Sequence, residues 1–413
     1  MSSPAVVVVG GGIAGASMAT VLARSGVRVV VLERQRAFRD CVRGEYLAHW
    51  GVEESQELKL SEIFEAAGAI YPRWMIPYDE TRCPEVAEAS RGDMSQVLPN
   101  VPGPLCAGHP ASCEALLQAA EIAGASVIRG VAHVHLTEPG RQPEVTYELN
   151  GVRESLRPRL VIGADGRNST IRAEAGIPLH SAPATHLITG MLVEGVPDWP
   201  QDTFAIGTQG DVMYYVFPQG EDRVRLYCCT ALDQRDRFAG PTGPSRFLET
   251  FRGLSALPQG AAIADATPIG PCATLTGEDT WTDDPFADAV ALVGDAAGYN
   301  DPILGQGLSL ALRDVRQLSS LLLEDENWSP ERLEPYAEER RERMRRMRFT
   351  ATLQAALASE FGPAAAARRK RYSERVKERC DPQLPFALAA MRVGPDRVPA
   401  FAFEDAMRRK VLE

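Results

Sequence analysis

A short apolar run followed at once by glycines constrains the fold of this chain most. Residues 5–9 read AVVVV and continue as GGGIAGASMA over residues 10–19. The pattern predicts a buried strand, a glycine turn and a helix over residues 13–24, with a second strand over 27–32. Together these elements form a βαβ unit, which predicts a parallel sheet with a right-handed crossover.

Three glycines of this segment, Gly10, Gly12 and Gly15, have the spacing GxGxxG. Gly10 permits the tight turn, Gly12 lets the backbone approach a pyrophosphate, and Gly15 lets the helix pack closely on the sheet. The helix N-terminus, at Ile13 and Ala14, offers unpaired N–H groups to an anion. The segment therefore predicts a dinucleotide site.

An acidic residue, Glu33, closes the second predicted strand, and Arg34 follows it. A carboxylate at this position accepts hydrogen bonds from the hydroxyls of an adenosine ribose and would repel a 2′-phosphate. FAD or NAD is therefore favoured over NADP as the bound dinucleotide.

The composition excludes several other classes of ligand. The net charge of −11 in 413 residues argues against a nucleic-acid partner. The eight cysteines show no CxxC spacing and are expected to be reduced, and no metal site is predicted. No apolar run is long enough to span a membrane, so we expect a cytoplasmic protein that binds a small molecule.

The rest of the chain divides into regions of different character. Short, alternating, aromatic runs between about residues 183 and 270 predict an antiparallel sheet, and a buried strand over 287–293 precedes a long helix over about 305–323. The remainder is mostly helical. Its arginine-rich stretch, residues 340–348, is interpreted as a solvated helix face.

Two further motifs lie far from the first. VIGADGRNSTIR, residues 161–172, places Asp165 and Gly166 after a predicted strand. VALVGDAAGYNDPILGQGLSLALRD, residues 290–314, places Asp295 after another strand, where it could bind a ribityl hydroxyl. The residues from Pro302 to Gly307 lead into a helix whose positive N-terminal end would stabilise a reduced flavin.

In these three motifs and their order, the sequence resembles the class A FAD-dependent monooxygenases of the p-hydroxybenzoate hydroxylase type, which have a glutathione-reductase-like FAD-binding fold. The resemblance covers roughly residues 5–320. It implies that Glu33 binds the ribose, Asp295 the ribityl chain, and Arg43 the FAD near the nicotinamide path. His109 stands where the family usually has arginine or glutamine, and the alternative of an ordinary histidine stays open.

The residues expected to contact the cofactor are Gly10, Gly12, Ile13, Ala14, Gly15, Glu33, Arg34, Arg43, His109, Val131, Asp165, Gly166, Asp295, Pro302, Gly305, Gln306, Gly307 and Leu308.

The resemblance also implies an α/β (α+β overall) fold. A Rossmann-type FAD-binding domain with a parallel sheet is expected over residues 1–72, 105–182 and 271–330. It is interleaved with an antiparallel-sheet substrate domain over residues 73–104 and 183–270. A helical C-terminal region is expected over residues 331–413.

The implied activity is that of an oxidoreductase. NAD(P)H reduces the FAD, O2 adds to form a flavin C4a-hydroperoxide, and the distal oxygen hydroxylates or epoxidises an aromatic or polyketide-like small molecule. Within VMYYVF, residues 212–217, alternation puts Met213, Tyr215 and Phe217 on one face, which is the predicted pocket lining. Tyr215 is a candidate to assist deprotonation, although nothing in the sequence separates it from Tyr214 or Tyr227.

Three alternatives stay open. A two-component epoxidase or a halogenase would receive reduced FAD from a partner reductase, and a flavin-dependent reductase would act on unsaturated substrates. The segment RWMIP, residues 73–77, is similar to a halogenase motif but lacks its first tryptophan and lies too early in the chain.

Overall fold

The structure is a computed structural model that describes residues 4–42, 44–138 and 142–413. Its strands are β1 Val6–Val9, β2 Val29–Glu33, β3 Tyr46–Leu47, β4 Trp74–Pro77, β5 Gly92–Asp93, β6 Leu105–Cys106, β7 Ser126–Arg129, β8 Ala132–Glu138, β9 Glu144–Leu149, β10 Val152–Leu156, β11 Leu160–Gly163, β12 His180–Ser181, β13 His186–Glu194, β14 Thr203–Gln209, β15 Val212–Pro218, β16 Val224–Thr230, β17 Thr267–Pro268, β18 Ala273–Gly277, β19 Thr280–Trp281, β20 Phe286–Ala287 and β21 Val290–Leu292. Its α-helices are α1 Ile13–Arg24, α2 His49–Glu57, α3 Ser61–Ala66, α4 Pro84–Ala89, α5 His109–Ile122, α6 Thr170–Glu174, α7 Gly243–Arg252, α8 Gly260–Ala264, α9 Gly307–Glu324, α10 Pro330–Ala358, α11 Pro363–Lys377, α12 Ala390–Val393 and α13 Asp405–Leu412.

A six-stranded sheet carries the glycine motif. Its order is β20-β21-β11-β1-β2-β7, and all neighbours are parallel except β20, an antiparallel edge strand. The strand β1 is fully apolar and buried because it lies in the middle of this sheet. Helix α1 has the bounds that the sequence predicts, and the α/β class is confirmed.

The second large sheet is antiparallel over its centre, in the order β17-β13-β16-β15-β14-β4-β5, with β18 added beside β13. Its two faces pack differently. Met213, Tyr215 and Phe217 belong to the large core that includes α1 and α9, whereas Tyr214 belongs to a separate core under α7. The strands β4 and β5, from residues 74–93, join this sheet, and the domain boundaries stay a prediction.

Helices make up most of the chain after residue 330, but the interpretation of residues 340–348 as a solvated face is wrong in part. Arg340 and Arg343 are buried, because α10 lies against α9 and both guanidiniums meet the fully buried Asp314. Asp314 also accepts the backbone N–H of Gly294. Within the described ranges, no helix combines the length and the apolarity that crossing a bilayer requires.

Candidate cofactor and substrate site

One cavity of about 370 Å³ connects all three sequence motifs with the antiparallel sheet. The motifs contribute Gly12, Ile13, Ala14, Ala164, Gly166, Arg167, Val293, Gly294, Asp295, Tyr299, Asn300, Pro302, Ile303, Leu304, Gly305, Gln306, Gly307, Leu308 and Ala311. The opposite wall includes aromatic and aliphatic side chains of the sheet. The cavity therefore lies where the carboxyl ends of β1, β11 and β21 meet, as ligand sites do in parallel sheets.

The glycine turn has the shape that a phosphate site requires. Gly10 has φ of 103°, and a Cβ there would lie 2.4 Å from the carbonyl oxygen of Ala164. A Cβ on Gly12, by contrast, would meet no atom within 4 Å, so the space beside it is open. Gly12 caps α1 without a side-chain hydrogen bond, which leaves the first N–H groups of the helix to a ligand.

Glu33 is buried at the end of β2, and its carboxylate is fixed by the backbone. One oxygen accepts from the N–H of Gly11 and the other from the N–H of Gln35, both at 2.6 Å. The carboxylate therefore lies against the glycine turn. Arg34 is exposed and Val131 is buried, and neither is among the residues that line the cavity.

Asp165 has a local role in the structure. Its carboxylate accepts from the hydroxyl of Ser169 at 2.5 Å and from the N–H groups of Thr170 and Ile171, so it caps α6. Burial raises the pKa of this carboxyl, while the hydrogen bonds oppose the shift. Its neighbour Gly166, with φ of 83°, lines the cavity, whereas Asp165 itself is not among the lining residues.

Asp295 faces the cavity next to Arg167. The Nε of Arg167 lies 3.4 Å from the Asp295 carboxylate, and the guanidinium lies 4.5 Å from the ring centre of Tyr299. Arg167 was not among the residues predicted from the sequence. Its pairing with an acidic group keeps the charge of this end of the cavity balanced.

The loop before α9 is shaped by local hydrogen bonds. Asp301 caps the turn Pro302–Leu304 by accepting from the N–H of Ile303, and Gly305 has the left-handed conformation, with φ of 63°. No side chain caps the N-terminus of α9, and a Cβ on Gly307 would meet no atom within 4 Å. The first N–H groups of α9 therefore lie beside an open space. A reduced flavin ring carries negative charge, which these N–H groups would stabilise.

Gln306 ties this loop to two distant segments. Its amide oxygen accepts from the indole N–H of Trp50 at 2.8 Å, and its amide nitrogen donates to the carbonyls of Leu304 and Met391 at 2.8 and 3.1 Å. The side chain is buried, so each of these bonds adds to the rigidity of the loop.

Five aromatic side chains line one half of the cavity, the aromatic half: Tyr46, Phe204, Tyr215, Phe217 and Tyr227. Neighbouring rings lie 5.1–6.3 Å apart between centres, with Phe217 in contact with each of the other four. Met213 shares their core but is not among the lining residues, so only two of the three predicted pocket residues reach the cavity.

The three tyrosines that the sequence left equivalent have different partners. Tyr215 donates at 2.6 Å to the carbonyl of Ile303, in the loop over residues 301–307 that leads into α9 and is called the cofactor loop below. Tyr214 donates to the carbonyl of Tyr78 on the other face of the antiparallel sheet. Burial raises the pKa of both Tyr215 and Tyr227 well above the usual value for tyrosine, so the pKa does not distinguish these two hydroxyls. Tyr227 alone of the three donates to a carboxylate, that of Glu45.

Glu45 is a buried acidic group in the cavity wall that sequence analysis did not identify. The guanidinium of Arg225, itself buried, lies 3.2 Å from one carboxylate oxygen and also contacts Asp40. The carboxylate thus has a cationic partner on one oxygen and the Tyr227 hydroxyl on the other.

His109 lines the cavity at the start of α5 and lies within 3.9 Å of the sulfurs of Cys41 and Cys113. The predicted cofactor contact Arg43 lies outside the described residues.

A parallel sheet with a glycine motif, a second antiparallel sheet and a cavity between them are typical of a flavin-binding protein. Residues 3–350 match the model of the FAD binding domain family, and the chain belongs to that family. The open space at Gly12 and Gly307 and the uncapped ends of α1 and α9 fit the two halves of FAD.

The chain is similar to proteins of differing names, of which two relatives and one solved structure are described. It is 28% identical to rifampicin monooxygenase of Streptomyces venezuelae, over 79% of this chain and 66% of that enzyme, which is about two thirds of its length. It is also 28% identical to digeranylgeranylglycerophospholipid reductase 2 of Methanothermobacter thermautotrophicus, over 74% of each chain. The crystal structure of p-nitrophenol 4-monooxygenase from Pseudomonas putida DLL-E4 superposes with a TM-score of 0.76 at 19% identity, over 99% of this chain and 97% of the other, which shows a shared fold.

Proposed function

We propose that this protein is an FAD-dependent monooxygenase that uses NAD(P)H and O2 to hydroxylate or epoxidise an aromatic or polyketide-like small molecule. The observation that carries the proposal is the single cavity in which the cofactor loop and the aromatic cluster meet, with Tyr215 bonded to Ile303 across it. An apolar chamber beside a flavin suits oxygen transfer, because water must be excluded from the reacting atoms. A cytoplasmic location fits the dependence on NAD(P)H and the eight free cysteines.

FAD would be held by the glycine turn and Glu33 at its ADP half, by Asp295 at the ribityl chain, and by the loop from Pro302 to Gly307 at the ring. When bound, it supplies the redox chemistry and the activation of O2. The chain contributes the orientation of the substrate and the movement of protons.

Proton movement is proposed for the pair Tyr227 and Glu45. A phenolic substrate that donates to the Tyr227 oxygen loses its proton to that oxygen as Tyr227 passes its own proton to Glu45. Arg225 stabilises Glu45 before the transfer, and Tyr215 is left to hold the cofactor loop.

The test is a product screen with 18O2 against aromatic and polyketide-like compounds, with NAD(P)H and no added reductase. Incorporation of one 18O atom into a product, with substrate-stimulated NAD(P)H oxidation, supports the proposal. Turnover only after reduced FAD is added would instead indicate a two-component enzyme, and Cl⁻-dependent product a halogenase.

A flavin-dependent reductase is the second candidate, since the relative from Methanothermobacter thermautotrophicus, which matches over 74% of both chains, is named a reductase. The discriminating measurement is the product formed under argon. A reductase saturates a double bond without O2, whereas the monooxygenase forms no product.

A further inference from the structure

The C-terminal helical region supplies part of the cavity wall. Leu388, Met391 and Arg392 line the cavity, although the family match ends at residue 350. The three cofactor motifs therefore do not determine which side chains this C-terminal segment places in the cavity wall.

The position of this segment is fixed relative to the cofactor loop. The carbonyl of Met391 accepts from Gln306, whose amide oxygen in turn accepts from Trp50. After Arg392 the chain ends its helical turn at Gly394, with φ of 88°, where a Cβ would lie 3.3 Å from Trp50. Arg392 is therefore attached to a backbone that packs on the loop itself.

Among the described residues, the charged side chains of the cavity lining have partners of opposite charge except at Arg392. Arg167 has Asp295 as its partner, and Glu45 has Arg225. The exposed side chain of Arg392 has neither an ion pair nor a hydrogen bond to any residue in the described part of the chain.

The positive charge of Arg392 acts on the aromatic half of the cavity. Burial raises the pKa of the Tyr46 hydroxyl, and the charge of Arg392 opposes that rise. The neighbouring surface of Leu388 and Met391 is apolar. Such a wall accommodates a flat ring that carries one anionic group, whereas a pyrophosphate needs several donors.

We propose, on the basis of the proposed function, that Arg392 binds the carboxylate of an aromatic acid substrate and selects it over the uncharged analogue. Guanidinium and carboxylate form paired, charge-assisted hydrogen bonds. The ring of the acid would lie among the aromatic side chains, and its carboxylate at the cavity mouth.

Binding to the oxidised holoenzyme tests this directly. The probes are 6-hydroxy-2-naphthoate and 2-naphthol, titrated while the flavin absorbance is followed, without NAD(P)H. Replacing Arg392 with glutamine should raise the Kd of the naphthoate about tenfold, the effect of about 1.4 kcal/mol from a lost charged hydrogen bond. The Kd of naphthol should not change. Arg392→Lys should retain part of the preference because it keeps the charge.

Arg409→Gln is the matched control, because Arg409 is exposed on α13, away from the cavity lining. It should leave both Kd values unchanged. A wild-type protein with no preference for the naphthoate, or an Arg392→Gln variant that keeps the preference, overturns the proposal. The same titration is repeated with NADP⁺ in place of the naphthoate; a variant in which only NADP⁺ binding weakens also overturns the proposal, since the anion recognised would then belong to the reductant. No turnover is measured, so failure here is distinguishable from failure of the oxygen-incorporation test.

Discussion

Removing the hydroxyl of Tyr215 separates a role in holding the cofactor loop from a role in chemistry. In Tyr215→Phe, the carbonyl of Ile303 loses its donor in a position where Ile303 is 1% exposed. A buried polar group without a partner costs about 1–3 kcal/mol. Because Ile303 belongs to the turn Pro302–Leu304, the cost is expected in the conformation that binds FAD. If all of it is expressed there, the Kd of FAD rises between about 5-fold and about 150-fold.

The assay is titration of the apoprotein with FAD, followed by flavin fluorescence, together with thermal unfolding. Tyr214→Phe is the matched control, because it removes the same atom from a buried tyrosine whose partner, the Tyr78 carbonyl, belongs to the opposite face. We expect it to lower stability and to leave the Kd of FAD unchanged. A Tyr215→Phe variant with normal stability and FAD affinity but a reduced kcat and an altered pH profile would refute the reasoning, since Tyr215 would then act on the substrate.

Three further substitutions test two side chains of the site and one buried carboxyl beside it, that of Asp279, which accepts from the backbone N–H of Asp301. Asp295→Ala should purify folded with a low ratio of flavin to protein, and normal FAD content would remove Asp295 from the cofactor site. Glu45→Gln should lower kcat by about 100-fold or more for a phenolic substrate at unchanged FAD content, as loss of a proton acceptor predicts; an unaffected kcat would exclude that role. Burial raises the pKa of Asp279 from the ordinary aspartate value of 3.8 to about 6, so the folded protein keeps a proton that the unfolded chain loses at lower pH. The free energy of unfolding should therefore fall as the pH rises through this window, and Asp279→Asn should remove up to about 3 kcal/mol of that fall, measured by urea unfolding; parallel pH profiles for the two proteins would contradict it.

The geometry of the glycine turn and of α1 was predictable because its signals are local. The turn at Gly10 follows from a glycine spacing, and α1 begins and ends where the sequence predicts. In each case the pattern and its structural consequence lie within a few residues.

The hydrogen bonds of the aromatic half of the cavity depend on partners that are distant along the chain. Tyr214, Tyr215 and Tyr227 look alike in sequence, and only the tertiary fold gives one of them Glu45 as an acceptor, 182 residues away. The same applies to Arg340, whose burial depends on Asp314 in a neighbouring helix. The composition near Arg340 indicates a solvated helix face. A run of charged residues carries no information about a single buried counter-charge in another helix, so the burial of Arg340 could not be predicted.

One side chain, Gln306, connects the proposed cofactor loop with the C-terminal segment that carries Arg392. Gln306 bonds to Leu304 in the cofactor loop and to Met391 beside Arg392, so a displacement of the C-terminal segment changes the hydrogen bonds of the loop. Since the side chain is buried, no water is available to replace a lost partner. A substrate that draws Arg392 inward would therefore act on the same loop that is proposed to contact the flavin ring.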